Sequence, residues 1–144
     1  MASALSLKID SDLATVGLVA RAIRSLCSEA LADEALDELE LGLVEALNNV
    51  IKHGYAAQKG SSVEVQVGIK TDRVVIDIID QSPPMPPEAL EPRDPWGAVD
   101  SANLEDLPEG GMGLALIQIT MDEVDYSSEA GVNKLQLTKL LPRK

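Results

Sequence analysis

Val44 to Tyr55 reads VEALNNVIKHGY. At about 100° per residue, Glu45, Asn49, Lys52 and His53 fall on one polar face of a helix, with Asn48 at its edge and apolar residues opposite. Taken alone, this is the solvated face of an amphipathic helix. Two adjacent asparagines argue against that reading, because each costs a few tenths of a kcal/mol in a helix interior. A carboxamide oxygen aimed into a site can instead ligate a hard cation such as Mg²⁺.

Working outward, the helix spans Leu36 to about His53, with Leu39, Leu43, Leu47 and Val50 inward and Gly54 as its stop. Upstream, Val16, Val19, Ile23, Leu26 and Ala30 line one face of a helix from Ala14 to about Ala32; Arg21 and Arg24 lie off that face. Leu5, Leu7 and Ile9 alternate with polar residues as a short first strand. Downstream, Val63, Val65, Val67 and Ile69 alternate, and VVIDIID follows the turn Lys70 to Arg73, which predicts a hairpin. Seven of the 8 prolines then fall between Gln81 and Glu109. That stretch is a long functional loop, with room for a helical turn near Pro87 to Leu90. Gly110-Gly111-Met112-Gly113 closes it, LALIQITM forms a short helix, and two strands follow, one beginning at Val124 and Tyr126, the other holding Leu135, Leu137 and Thr138. The expected class is α+β: one domain over residues 1–144, a two-layer α/β sandwich with a mixed, mostly antiparallel sheet and helices on one face.

The chain has 144 residues, 45% of them apolar, with one Trp, two Tyr and no Phe, so Leu, Ile, Val and Ala must build the core. Lys plus Arg number 12 against 24 Asp plus Glu, a net charge of −12. Such a surface repels nucleic acid and anionic membranes and attracts a basic protein partner. Cys27, the one cysteine, excludes an internal disulfide and reads as an inert buried thiol. No apolar run reaches membrane-spanning length, and the N-terminus lacks signal-peptide character, so a cytoplasmic location is expected.

Two further features carry chemistry. Asp80 ends the apolar row Val74, Ile76, Ile78, where a carboxylate is costly to desolvate without a donor. The exocyclic amine of adenine is one such donor; a turn cap is the plainer reading. The glycines of EGGMG before a helix let backbone amides approach phosphate oxygens. Neither feature is decisive alone.

Together, E-A-x-x-N-x-x-x-H-G-Y, the strand-end Asp80 and G-G-M-G-L-A-L-I with M-D-E-V downstream resemble the GHKL ATP-binding fold, and more narrowly the RsbW/SpoIIAB-type anti-sigma-factor serine/threonine kinases. The resemblance implies ATP and Mg as cofactors. It implies Glu45 as the catalytic base, Asn49 as the magnesium ligand, and Lys52 and His53 near the phosphates. Asp80 becomes the adenine reader and Gly110, Gly111 and Gly113 the phosphate loop, with Met85, Met112 and Leu114 completing the ATP-binding set. The proline-rich stretch becomes an ATP lid whose one basic residue is Arg93. Where the family usually has Asp-x-Gly, this chain has Asp80-Gln81-Ser82. The implied partners are a sigma factor and a STAS-type anti-anti-sigma protein whose serine is phosphorylated, with ATP or ADP bound, Arg21 and Arg24 on the partner side, and a homodimer through the first strand. The alternative is a non-catalytic ATP-binding module that sequesters a sigma factor or another protein. A histidine kinase is excluded, since the one histidine, His53, lies within the nucleotide site itself.

Overall fold

The computed structural model describes residues 3–56, 60–84 and 111–141, the side chains of residue 3 and residues 111–114 excepted. Met85, Arg93 and Gly110, with nearly all of the proline-rich stretch, lie outside the described residues. The elements are β1 (Ser3–Asp10), a 3₁₀ turn (Leu13–Thr15), α1 (Val16–Leu26), α2 (Asp33–Asn49), a π-helical turn (Val50–Gly54), β2 (Ser62–Ile69), β3 (Arg73–Asp80), α3 (Gly111–Thr120), β4 (Glu123–Glu129) and β5 (Val132–Leu140).

The sheet order is β1-β2-β3-β5-β4, and all four pairings are antiparallel. The parallel component expected of a mixed sheet is absent among the described residues. The reason lies in the last hairpin. β4 takes the sheet edge, and the chain reverses through Ala130 and Gly131, whose φ values of 54° and 81° suit a tight hairpin turn. β5 then runs back between β4 and β3, antiparallel to both.

Strand alternation points Val63, Val65 and Val67 of β2, Val74, Ile76 and Ile78 of β3, and Leu135 and Leu137 of β5 into one core. The register stacks Val65 beside Ile78 and Ile78 beside Leu135. Onto this face pack Val19 and Ile23 of α1, Leu39, Leu43 and Leu47 of α2, and Ile117 of α3. The core is aliphatic, as composition requires.

Two helix faces differ from the sequence pattern. α1 stops at Leu26, which is exposed, and Cys27 takes the inward place. The backbone tightens there, with the amides of Ala30 and Leu31 both donating to the Cys27 carbonyl. At the other helix, Ile51 rather than Val50 is fully buried. The Tyr55 amide donates to the Val50 carbonyl at 2.9 Å, an i→i+5 bond that widens the turn and rotates the face.

α3 is held at its C-terminal end. Lys139 of β5 is buried, and its Nζ donates to the Thr120 carbonyl at 2.6 Å and to Glu38 of α2 at 3.1 Å. A cation at the last carbonyls of a helix opposes its dipole favourably. Gly42 of α2 lets the two helices approach. A Cβ there would lie 2.6 Å from Thr120 Oγ1, which is itself committed to the Leu116 carbonyl at 2.8 Å. Among the described residues no helix is long and apolar enough to cross a membrane.

Two outcomes follow from this packing. Gly42→Leu is expected to destabilise the fold by about 1–3 kcal/mol, read as a lower midpoint in urea unfolding. Burial pushes the Cys27 thiol up to about 11. At pH 8 it therefore stays protonated, and a thiol-specific reagent is expected to leave the native protein unmodified and to label it in denaturant.

Candidate functional site

Glu45 and Asn49 stand one turn apart on α2, both half-buried. The Asn49 Nδ2 is fully buried and has no hydrogen-bond partner among the described residues. An amide left unmet in this way costs roughly 1–3 kcal/mol. On this residue it marks a place where a ligand can supply the missing partner. Lys52 and His53 follow on the π-helical turn, both exposed. π-turns inside helices are frequent at functional sites, because the extra residue re-aims the side chains.

Tyr55 ties this helix end to the sheet. Its hydroxyl accepts from the Gln81 amide at 2.8 Å and donates to the Ser62 carbonyl at 3.1 Å. One side chain thus joins the start of β2 and the exit of β3 to the end of α2. Gly54 makes the same junction by contact. A Cβ on Gly54 would lie 2.8 Å from the Ser82 Cβ, and closer still to its hydroxyl. The glycine that stops the helix is therefore also the space into which Ser82 fits.

Asp80 lies at this junction, only 5% exposed. Its Oδ1 accepts from the Ser82 amide at 2.9 Å, from the Ser82 hydroxyl in a short bond, and from Asn133 Nδ2 at 2.9 Å. Asn133 Nδ2 also donates to the Ser82 carbonyl at 2.7 Å, while its Oδ1 accepts from the Ser128 hydroxyl at 2.7 Å. The carboxylate is thereby desolvated without being left unpaired. Ser82, which stands where the family usually has glycine, acts as a donor to Asp80.

Asn133 was not among the residues singled out from the sequence. The signal for it is a polar residue in the inward row Asn133, Leu135, Leu137 of an alternating strand, and the register sets it directly opposite Asp80.

Residues 9–139 match the histidine kinase-like ATPase domain family. The serine-protein kinase RsbW of Bacillus licheniformis is 31% identical over 133 residues, covering 89% of this chain and 79% of that one. The chain belongs to the RsbW serine-protein kinases of the histidine kinase-like ATPase family. RsbW of Bacillus subtilis (strain 168) is 25% identical over 138 residues, covering 95% and 85% of the two chains. In fold, the chain matches the solved RsbU and RsbW domains of a Mycobacterium tuberculosis protein with a TM-score of 0.66 at 18% identity, over 99% of this chain and 33% of that one. The Acinetobacter baumannii histidine kinase AdeS matches with a TM-score of 0.51 at 12% identity, over 95% of this chain and 68% of that one. Membership implies a protein serine/threonine kinase that uses ATP.

Within this RsbW-type domain the end of the α2 segment reaches the exit of β3 through Tyr55, bonded to the Gln81 amide, and through Gly54, in contact with Ser82. Gly111 to Leu114 form the first turn of α3. The amides of a first helical turn have no partners within the helix, which suits an anion. Among the described residues no group of three or more His, Cys, Asp or Glu is placed to hold a metal. The side-chain oxygens of Glu45 and Asn49 remain as donors. Of the two arginines considered for partners, Arg24 is engaged in a surface ion pair between α1 and α2, with Nη1 2.7 Å from Asp37 and 3.0 Å from Glu40. The hydrogen bond to Asp37 raises its pKa further. Arg21 is exposed.

The Gly54–Ser82 fit has a testable consequence. Gly54→Ala is expected to lower stability by about 1–3 kcal/mol in chemical unfolding. With Ser82→Gly introduced alongside it, the combined loss is expected to be smaller than the sum of the two single losses, a coupling that two independent sites would not produce.

Proposed function

We propose that the chain is a cytoplasmic anti-sigma factor that phosphorylates a serine of a STAS-type anti-anti-sigma partner, using ATP and magnesium, and that otherwise holds a sigma factor. The observation that carries this reading is the pair Glu45 and Asn49, one turn apart on α2, with the Asn49 amide nitrogen buried and unpaired among the described residues.

In this reading Asp80 meets the adenine amine. The amides of the α3 first turn and the glycines before it hold phosphate oxygens, with Lys52 and His53 near the phosphates and Met85 along the lid. The substrate serine Oγ attacks the γ-phosphorus. The bond to the β,γ-bridging oxygen breaks, ADP leaves, and the serine proton passes to the Glu45 carboxylate. Magnesium would be held through the Asn49 side-chain oxygen, since such a cation needs only one or two protein oxygens and an all-protein cage is absent among the described residues. When bound, magnesium neutralises phosphate charge. The unpaired Asn49 Nδ2 is a donor suited to a phosphate oxygen, while its Oδ1 is the atom that would take the cation.

Partner choice follows from charge and state. The net charge of −12 favours a partner with a basic face. Exposed Arg21 is the first-helix candidate for a salt link to an acidic group on either partner. ATP and ADP bias which partner is held only through their different contacts in the two states. β1 is an edge strand with Leu5 exposed, which supports pairing of two copies there.

The kinase step is checked by mixing the protein with its STAS partner and labelled ATP. Glu45→Ala is expected to lower transfer by about 10²-fold or more while leaving ATP affinity within a few-fold. Asn49→Ala is expected to abolish the gain in ATP affinity that magnesium confers, measured by calorimetry with and without the ion. Tight ATP binding with no transfer by the unaltered chain would leave only a nucleotide-dependent binding module.

A further inference from the structure

The C-terminal end of α3 is fastened to two other elements at once. Lys139 of β5 is buried, and its Nζ donates to the Thr120 carbonyl at 2.6 Å and to Glu38 Oε2 of α2 at 3.1 Å. The Asp122 amide, just past α3, donates to the Thr138 carbonyl at 2.9 Å, and the Asp122 carboxylate accepts from the Leu140 amide at 2.6 Å. On the α2 side there is no spare room. A Cβ on Gly42 would lie 2.5 Å from Met121 Cε and 2.6 Å from Thr120 Oγ1. At about 100° per residue, Glu38, Gly42, Glu45 and Asn49 all fall on one face of α2. The end of α3 is therefore locked to one part of the face whose other part carries Glu45 and Asn49.

We infer that Lys139 and Glu38 are positioning residues for the phosphate end of the nucleotide: they lock α3 to α2 and so hold the first-turn amides of α3 at a fixed distance from Glu45 and Asn49. The inference rests on the reading that this first turn holds phosphate oxygens and that Glu45 and Asn49 serve the transfer. Leverage makes the joint matter. A helix as short as α3 is about 15 Å long, so a tilt of about 5° at its C-terminal end moves its first turn by roughly 1 Å. A misplacement of about 1 Å can cost on the order of 10²-fold in rate, even when it arises far from the chemistry. The bond from the ammonium to the Thr120 carbonyl is charge-assisted and shielded from water, which makes it stiff. The Glu38 side chain is 41% exposed, so water screens its share of the joint.

The test is a pair of dissociation constants, for ATP and for adenosine, measured at one magnesium concentration. Adenosine keeps the base and sugar and lacks the phosphates. Lys139→Met is expected to weaken ATP binding by about ten-fold and adenosine binding by less than about two-fold. Glu38→Ala is expected to weaken ATP binding by about three-fold, and this half-exposed position provides a reading even if Lys139→Met folds poorly. The two variants change the net charge in opposite senses. If the pair acted only through long-range charge, Glu38→Ala would strengthen ATP binding, and that result would overturn the inference. A parallel fall in ATP and adenosine affinity, or a lower urea midpoint with ATP affinity unchanged, would mean the joint is merely structural and would overturn it as well. Gly111→Pro and Gly113→Pro, made singly, separate the premise, since each removes an amide from a first turn, where proline is tolerated. Unchanged ATP affinity in both removes the phosphate role of that turn. Lost ATP affinity there, with Lys139→Met and Glu38→Ala unshifted, removes only the positioning role.

Discussion

The carboxylate of Asp80 is taken out of water at the end of β3, and an unpaired charge there would cost several kcal/mol. Its donors come from two places in the chain. Ser82 lies two residues on, so the chain must turn sharply after the strand. Asn133 lies on β5, so β5 must pair with β3 in the one register that sets it opposite Asp80. A slip of one residue would turn Asn133 to the far face and bring Val132 or Lys134 opposite the carboxylate. The buried charge and the strand order β3-β5-β4 therefore require each other. A polar network of this kind specifies a single arrangement, because a partly satisfied version is worse than none.

The second half of the site depends on the same turn. Ser82 needs space, and Gly54 provides it at the end of α2. Tyr55 then ties the Gln81 amide to the helix end. The π-helical turn lies between the Asn49 carboxamide and this junction, and its extra residue lets the helix reach Gly54 and Tyr55 with Ile51 still in the core. The segment thus carries two loads. One face closes the core through Leu43, Leu47 and Ile51, and the other presents Glu45 and Asn49. A residue such as Asn49, with a buried amide nitrogen and no partner among the described residues, is tolerable only as a local exception, and such exceptions concentrate at functional sites.

The sequence made the period of each element legible. Alternation in Val63 to Ile69 and Val74 to Asp80 gave the hairpin, and the spacing of Leu39, Leu43 and Leu47 gave the long helix. These signals survive because one face of each element is buried against the others. What the sequence did not carry was pairing over distance. Asp80 was recognisable as a carboxylate in need of a donor, but the donor lay 53 residues away in Asn133, visible only once β5 was placed beside β3. The same gap explains the expectation of a mixed sheet, since element order alone does not say that β5 inserts between β4 and β3. Arg24 looked as available as Arg21 because period places both off the core face. Only the packing of α1 against α2 brings Asp37 and Glu40 to one of them.

α3 shows how a domain of this size can fix one end of a helix. Its C-terminal end is held by Lys139, whose ammonium is buried between the Thr120 carbonyl and Glu38. The close approach over Gly42 adds a steric constraint at the same end. The amides of its first turn have no helical partners by construction. Anchoring is thus concentrated at the end where the helix dipole is negative and a buried cation is favourable. The opposite end keeps its positive field for an anion. The glycine-rich start of α3 and the buried lysine of β5 are separated in sequence, yet they serve the two ends of one dipole.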